Sequence, residues 1–133
     1  VAGTTRASRF GRVAGYAKRA HEEICVLVQA ETKQALDNLE AICAVEGVDG
    51  VFIGPADLHA SLGYAGETAN PAVVPMIEEA MRRIRKAKRA PGYLTPVEAD
   101  AKRMLGAGCL FCAVGADVGL LARSAEALRA KFT

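Results

Sequence analysis

Apolar residues along this chain fall into two alternating rhythms. Short apolar runs at 24–29 (ICVLVQ), 48–53 (VDGVFI), 91–94 (PGYL) and 110–114 (LFCAV) have the length of strands, and the first two are rich in β-branched residues. Between these runs apolar positions recur every three or four residues, the helical period. Thr32 is placed to cap a helix whose inward stripe is Ala35, Leu36, Leu39, Ile42 and Cys43. Asn70 followed by Pro71 opens the next helix, with Ile77, Met81 and Ile84 facing in. Thr95, Pro96 and Glu98 spell a capping box with proline at the first helical position, and Gly106 or Gly108 ends that helix. Asp117 is read as the cap of the last helix, which turns Leu120, Leu121, Ala125, Leu128 and Phe132 inward. An opening helix around Val13, Tyr16, Ala17 and Ala20 precedes the first strand.

The resulting order, α-β-α-β-α-β-α-β-α, predicts successive right-handed βαβ units and a parallel sheet. No linker or low-complexity segment interrupts it. A four-stranded doubly wound domain satisfies this pattern, and so does half of an eight-stranded barrel, since a whole barrel takes about 250 residues. Periodicity alone does not choose between them.

Composition removes some function classes. The 133 residues are 51% hydrophobic and 24% charged, an ordinary globular balance. A net charge of +2, no Trp and 5% aromatic residues leave no basic or base-stacking surface for nucleic acid. The basic run from Arg82 to Arg89 lies opposite Ile77, Met81 and Ile84 and reads as a solvated face. No stretch reaches the roughly 20 apolar residues of a membrane span, and the N-terminus has no hydrophobic signal region, so a cytoplasmic protein is expected. Cys109 and Cys112 have C-x-x-C spacing, but no second pair completes a tetrahedral metal site. They read as buried reduced thiols of a core strand, and Cys25 and Cys43 also fall at apolar positions.

Candidate chemistry lies at two strand ends. Side chains alternate along a strand, so Gln29 and Glu31 share a face with Cys25 and Leu27, and that face ends in an amide and a carboxylate. The second apolar run is followed by Gly54, Pro55, Ala56 and Asp57, a tight turn that presents the amides of Ala56 and Asp57 outward, where they could hold a carboxylate. Each acid has a plainer reading: Glu31 beside a helix N-terminus and Asp57 as a helix cap. Together, at adjacent strand ends, they favour a hard divalent cation with positions open to water or substrate. His59 is a candidate proton carrier, although a lone loop histidine is more often a surface residue, and His21 is expected to be exposed. No nucleophile elbow, Walker loop or dinucleotide fingerprint is present.

The strings RASRF, CVLVQAET, VEGVDGVFIGPADL, LGYAG and FCAVGAD, in this order, resemble the C-terminal half of the class II pyruvate aldolases of the HpcH/HpaI family. The resemblance covers nearly the whole chain. It implies that residues 1–133 are a partial domain, the second half of a (β/α)8 TIM barrel, and that the activity is cleavage of 4-hydroxy-2-oxo acids to pyruvate and an aldehyde. It also implies a divalent metal (Mg2+, Mn2+ or Co2+) on Glu31 and Asp57, with Gln29 and the amides of Ala56 and Asp57 on the oxo-acid substrate. The catalytic base and a pyruvate-binding Arg are expected from an N-terminal half, so the isolated chain is expected to be inactive. A cytoplasmic homo-oligomer, hexameric in the family, acting in aromatic compound catabolism, completes the implied picture. Alternatives are another lyase of the pyruvate and phosphoenolpyruvate barrel superfamily, acting on a sugar acid or thioester, or a non-catalytic half-barrel used for binding or assembly.

Overall fold

Four strands pair in parallel and in chain order: β1 (Leu27–Ala30), β2 (Gly50–Ile53), β3 (Ala90–Leu94) and β4 (Phe111–Ala113). This arrangement comes from a computed structural model, which describes residues 2–132. Helices fill the intervals: α1 (Tyr16–Glu23), α2 (Lys33–Asp37), α3 (Leu39–Ala44), α4 (Pro55–Ser61), α5 (Val74–Lys86), α6 (Glu98–Gly106) and α7 (Asp117–Arg129). Two 3-10 turns, Ala2–Thr4 and Arg6–Ser8, precede α1. All four predicted strands are present: β1 is shifted, β2 and β4 are trimmed, and β3 begins one residue earlier than expected.

The two sheet faces have different fates. Ala30, Val51, Ile53 and Tyr93 point to one side and form a buried core with Leu36, Leu39, Ile77, Met81, Ile84 and Met104 of the helices. The alternate positions run Gln29, Phe52, Gly92 and Phe111 in direct register across the other face. There Gln29 and Phe111 are exposed, and Phe52 meets Phe111 edge to face at 5.9 Å. A doubly wound sheet reverses its strand order and is covered by helices on both faces. Sequential order with helices on one face is instead the construction of a barrel segment, so the half-barrel expectation holds and the doubly wound one falls.

Several local expectations are corrected. The capping box at Thr95 does not form: α6 starts at Glu98, because the Thr95 amide still donates to the Ala113 carbonyl (2.9 Å) and prolongs the β3–β4 pairing. The Thr95 hydroxyl accepts from the Val97 amide instead (3.2 Å). Asn70 likewise caps a turn rather than α5 itself, its side-chain oxygen accepting from the Ala72 amide (2.9 Å). Thr32 does cap α2, accepting from the Ala35 amide (3.0 Å), and the predicted helical stripe is interrupted only at Asn38.

The apolar stripe of α7 is not inward. Leu120, Leu121, Ala125, Leu128 and Phe132 are all exposed, and α7 has no buried residue. The helix follows the edge strand β4, and among the described residues no further strand pairs beyond β4 to receive that stripe. The basic run is also not wholly solvated. Arg83 clamps Glu40 of α3 through two hydrogen bonds (2.6 and 2.5 Å), and Arg89 donates to the Cys43 carbonyl (2.9 Å). Among the described residues no helix is long and apolar enough to cross a membrane.

Candidate functional site

The strand ends of β1 and β2 converge on a cleft of 320 Å3 that contains Gln29, Glu31, Ala56 and Asp57. All four residues singled out in the sequence therefore meet at one place. Glu31 is half-buried one residue beyond β1, and Gln29 on the same strand face donates its side-chain amide to Glu31 Oε1 (2.7 Å). One carboxylate oxygen is thereby positioned while the other has no hydrogen-bond partner among the described residues.

Gly54 makes room for this arrangement. A Cβ at Gly54 would lie 2.6 Å from Glu31 Oε1 and 2.7 Å from its Cγ, so Glu31 lies across the turn that begins α4. Pro55 follows at the first helical position, where its missing N–H has no bond to lose. The first intrahelical amide is that of Leu58, donating to the Gly54 carbonyl (3.0 Å). The amides of Ala56 and Asp57 precede it in the first turn, where the helix supplies no acceptor, and both residues are exposed.

Three carboxylates line this cleft, those of Glu31, Asp57 and Asp100; Arg103 pairs with Asp100, and among the described residues no lysine or arginine lines the cleft beside Glu31 and Asp57. Among the described residues no group of three or more His, Cys, Asp or Glu could enclose a metal. The donor set, two carboxylates without a basic partner, fits a hard cation that keeps several positions for water and ligand. The rest of its lining includes the apolar residues Phe52, Leu94, Pro96 and Val97.

His59 departs from the sequence reading. It is fully buried in α4 rather than on the surface, with Nδ1 2.6 Å from the Pro55 carbonyl and Nε2 accepting from the Asn70 amide (3.1 Å). These partners assign the proton to Nδ1 and commit both nitrogens to structure. His59 thus ties the long α4–α5 connection to the turn that carries Asp57, and is no proton carrier for the cleft. His21 is exposed, as expected.

Sequence reasoning missed Tyr93 and Asp100. Tyr93, buried and beside the cleft, donates its hydroxyl to Asp100 (3.2 Å), and Arg103 closes on the same carboxylate. Burial first, and the neighbouring Asp100 second, push the phenol well above its ordinary pKa. A strand tyrosine seven residues before a helical aspartate is the sequence signal that could have found the pair. Of the thiols, Cys43 and Cys109 are buried, Cys112 is partly so, and Cys25 is exposed rather than interior. All four are free, and burial pushes Cys109 up to about 11.

Residues 4–124 match the family model described as HpcH/HpaI aldolase/citrate lyase. The chain belongs to this family. It is 56% identical over 127 residues to the 4-hydroxy-2-oxo-heptane-1,7-dioate aldolase of Shigella sonnei, covering 96% of this chain and 48% of that protein. It is 55% identical over 130 residues to the 4-hydroxy-2-oxovalerate aldolase of Rhodococcus jostii, covering 98% and 50%. The crystal structure of an HpcH/HpaI aldolase/citrate lyase family protein from Burkholderia cenocepacia superposes with a TM-score of 0.86 at 36% identity, covering all of this chain and 52% of that one. This HpcH/HpaI chain therefore spans about half the length of the relatives it matches, as a half-barrel should.

Proposed function

We propose that this chain carries the metal-binding half of a class II pyruvate aldolase, which cleaves 4-hydroxy-2-oxo acids to pyruvate and an aldehyde. The observation that carries the reading is the meeting of Glu31, Asp57, Gln29 and two unengaged helix amides in one cleft, where among the described residues no lysine or arginine lies beside the two carboxylates. The names of the relatives agree with it.

In this reading Glu31 and Asp57 hold the cation, Mg2+, Mn2+ or Co2+. The amides of Ala56 and Asp57 receive the substrate carboxylate, where the first turn of α4 favours negative charge. Gln29 fixes the rotamer of Glu31 and presents its remaining polar atoms to the oxo acid. When bound, the cation would supply Lewis acidity that stabilises negative charge on the keto oxygen as the C3–C4 bond breaks. The apolar lining from Phe52 and Leu94 limits water around that oxygen, which strengthens each of these contacts. Removal of the 4-hydroxyl proton falls to a base outside this chain, as does the Arg that steadies pyruvate. The reading takes residues 1–133 as one partial domain and places the whole enzyme in the cytoplasm as a homo-oligomer.

The test is pyruvate release from a panel of 4-hydroxy-2-oxo acids by the intact protein, read by coupled NADH consumption. Release that falls to background on chelation and returns with Mn2+ is the expected result; full activity in chelator contradicts the reading.

A further inference from the structure

We propose that the N-terminal end of the sheet holds a second binding site, which takes a phosphate dianion, either free or as a phosphate monoester. The strands are parallel, and Glu31 and Asp57 lie beyond their C-terminal ends. At the N-terminal ends a separate pocket of 460 Å3 is lined by Asp49, Arg85, Lys88, Arg89, Ala90 and Leu110. Asp49 precedes β2, Ala90 begins β3 and Leu110 precedes β4, while the three cations come from the last turn of α5 and the reversal that follows it. Strands of this length put roughly 15 Å between the two places, so the pocket is no part of the carboxylate cleft.

One carboxylate does not neutralise three cations, and Asp49 is already engaged, its Oδ2 accepting from the Val26 amide (2.7 Å). Arg82, Arg83 and Arg103 each pair with a carboxylate, whereas Arg85 and Lys88 make no ion pair or side-chain hydrogen bond among the described residues. Arg89 is half-buried, and its bond from Nε to the Cys43 carbonyl (2.9 Å) leaves its Nη groups for another acceptor. The helix dipole favours cations at a helix C-terminus without any ligand, which accounts for Arg85. It does not account for Lys88, which stands beyond the helix with φ +59°, a left-handed conformation that such reversals ordinarily give to glycine. The Lys88 amide donates to the Arg85 carbonyl (2.9 Å) and the Arg89 amide to that of Ile84 (3.1 Å), so the backbone of this lysine is held in place. A charged residue kept in a disfavoured conformation where it lines a pocket is the local strain that a binding function retains.

Three cations against one carboxylate leave an excess that a dianion balances. Two guanidinium forks and an ammonium can engage several oxygens around one centre, which a phosphate provides and a lone carboxylate does not. Ala90 and Leu110 add apolar surface for the carbon part of a monoester.

Calorimetric titration of inorganic phosphate, glycerol 3-phosphate and acetate into the intact, metal-free protein tests this at constant ionic strength and about pH 8, where phosphate is largely a dianion. Phosphate and its ester should bind, and acetate at least about tenfold more weakly. Tighter binding of the ester assigns a phosphorylated metabolite as the ligand, and tighter binding of phosphate assigns the free ion; either upholds the site. Arg85→Gln and Lys88→Gly should each weaken phosphate about five- to tenfold. Lys88→Gly should also raise the unfolding midpoint, because glycine relaxes the left-handed turn, and this separates a lost contact from a lost fold. Arg82→Gln, on the same helix but outside the pocket, should bind phosphate as the wild type does. No heat of binding up to about 10 mM phosphate, acetate bound as tightly as phosphate, or phosphate binding that survives both pocket substitutions overturns the proposal. Equal weakening by Arg82→Gln also overturns it, since the effect would then be one of diffuse charge.

Discussion

The Glu31 carboxylate occupies the space that any side chain at Gly54 would need, its Oε1 lying 2.6 Å from the position of a Cβ there. Gly54 has φ −88° and ψ 101°, which alanine adopts freely, so this glycine is required by its neighbour and not by its backbone. Gly54→Ala should displace the end of a flexible side chain, changing stability by less than about 1 kcal/mol. Metal affinity should nevertheless fall about ten- to hundredfold, as when a ligand's support is removed. Thermal unfolding and an Mn2+ titration on the same variant separate the two effects; a large loss of stability with unaltered affinity would refute the argument.

His59 acts through two hydrogen bonds to backbone in a buried position. His59→Leu keeps the volume but leaves the Pro55 carbonyl and the Asn70 amide unmatched, at a cost of about 1–3 kcal/mol in unfolding free energy. Proteolysis should then cut the connection between α4 and α5 first. A variant as stable as wild type but catalytically dead would return His59 to the role of proton carrier.

Much of this was legible in the sequence, and the exceptions share a cause. The strand runs, the Thr32 cap and the common face of Gln29 and Glu31 depend on neighbours within a few residues, so local pattern suffices. His59 was misjudged because one of its partners, Asn70, is eleven residues away across a turn with no periodic signal. The α7 stripe marks a face that tends to bury, but a pattern carries no information on whether a partner strand is at hand. Thr95 failed as a cap because a neighbouring strand competes for its amide. The clearance at Gly54 is a relation between two loops and leaves no mark in either alone.

The thiols should react in order of exposure. Brief treatment with N-ethylmaleimide should label Cys25 first and Cys112 next, while Cys43 and Cys109 stay protected, since burial both shields them and disfavours the thiolate. Peptide mass spectrometry reads the order. Early labelling of Cys109 would show that the segment before β4 opens readily.

The Arg83 hydrogen bonds hold the Glu40 carboxyl down to about 2 from its ordinary 4.5. A depressed carboxylate stabilises the fold above its unfolded value, so this contribution is complete above pH 4.5 and is lost as the pH falls toward 2. Glu40→Gln should flatten the acid limb of a urea-midpoint profile in that window. The loss of stability should be small throughout, because Glu40 is largely exposed and water screens the pair, but it should be greatest above pH 4.5 and vanish toward pH 2. A midpoint that drops equally at all pH values would point to packing and away from charge.

The central claim is that Glu31 and Asp57 form one cation site at the ends of β1 and β2. Calorimetric titration of Mn2+ into the intact protein and into Glu31→Gln and Asp57→Asn tests it most directly. The account predicts one site per chain in the wild type and an affinity at least about tenfold weaker in each variant, with unfolding midpoints unchanged. Wild-type Mn2+ affinity in both variants would contradict it.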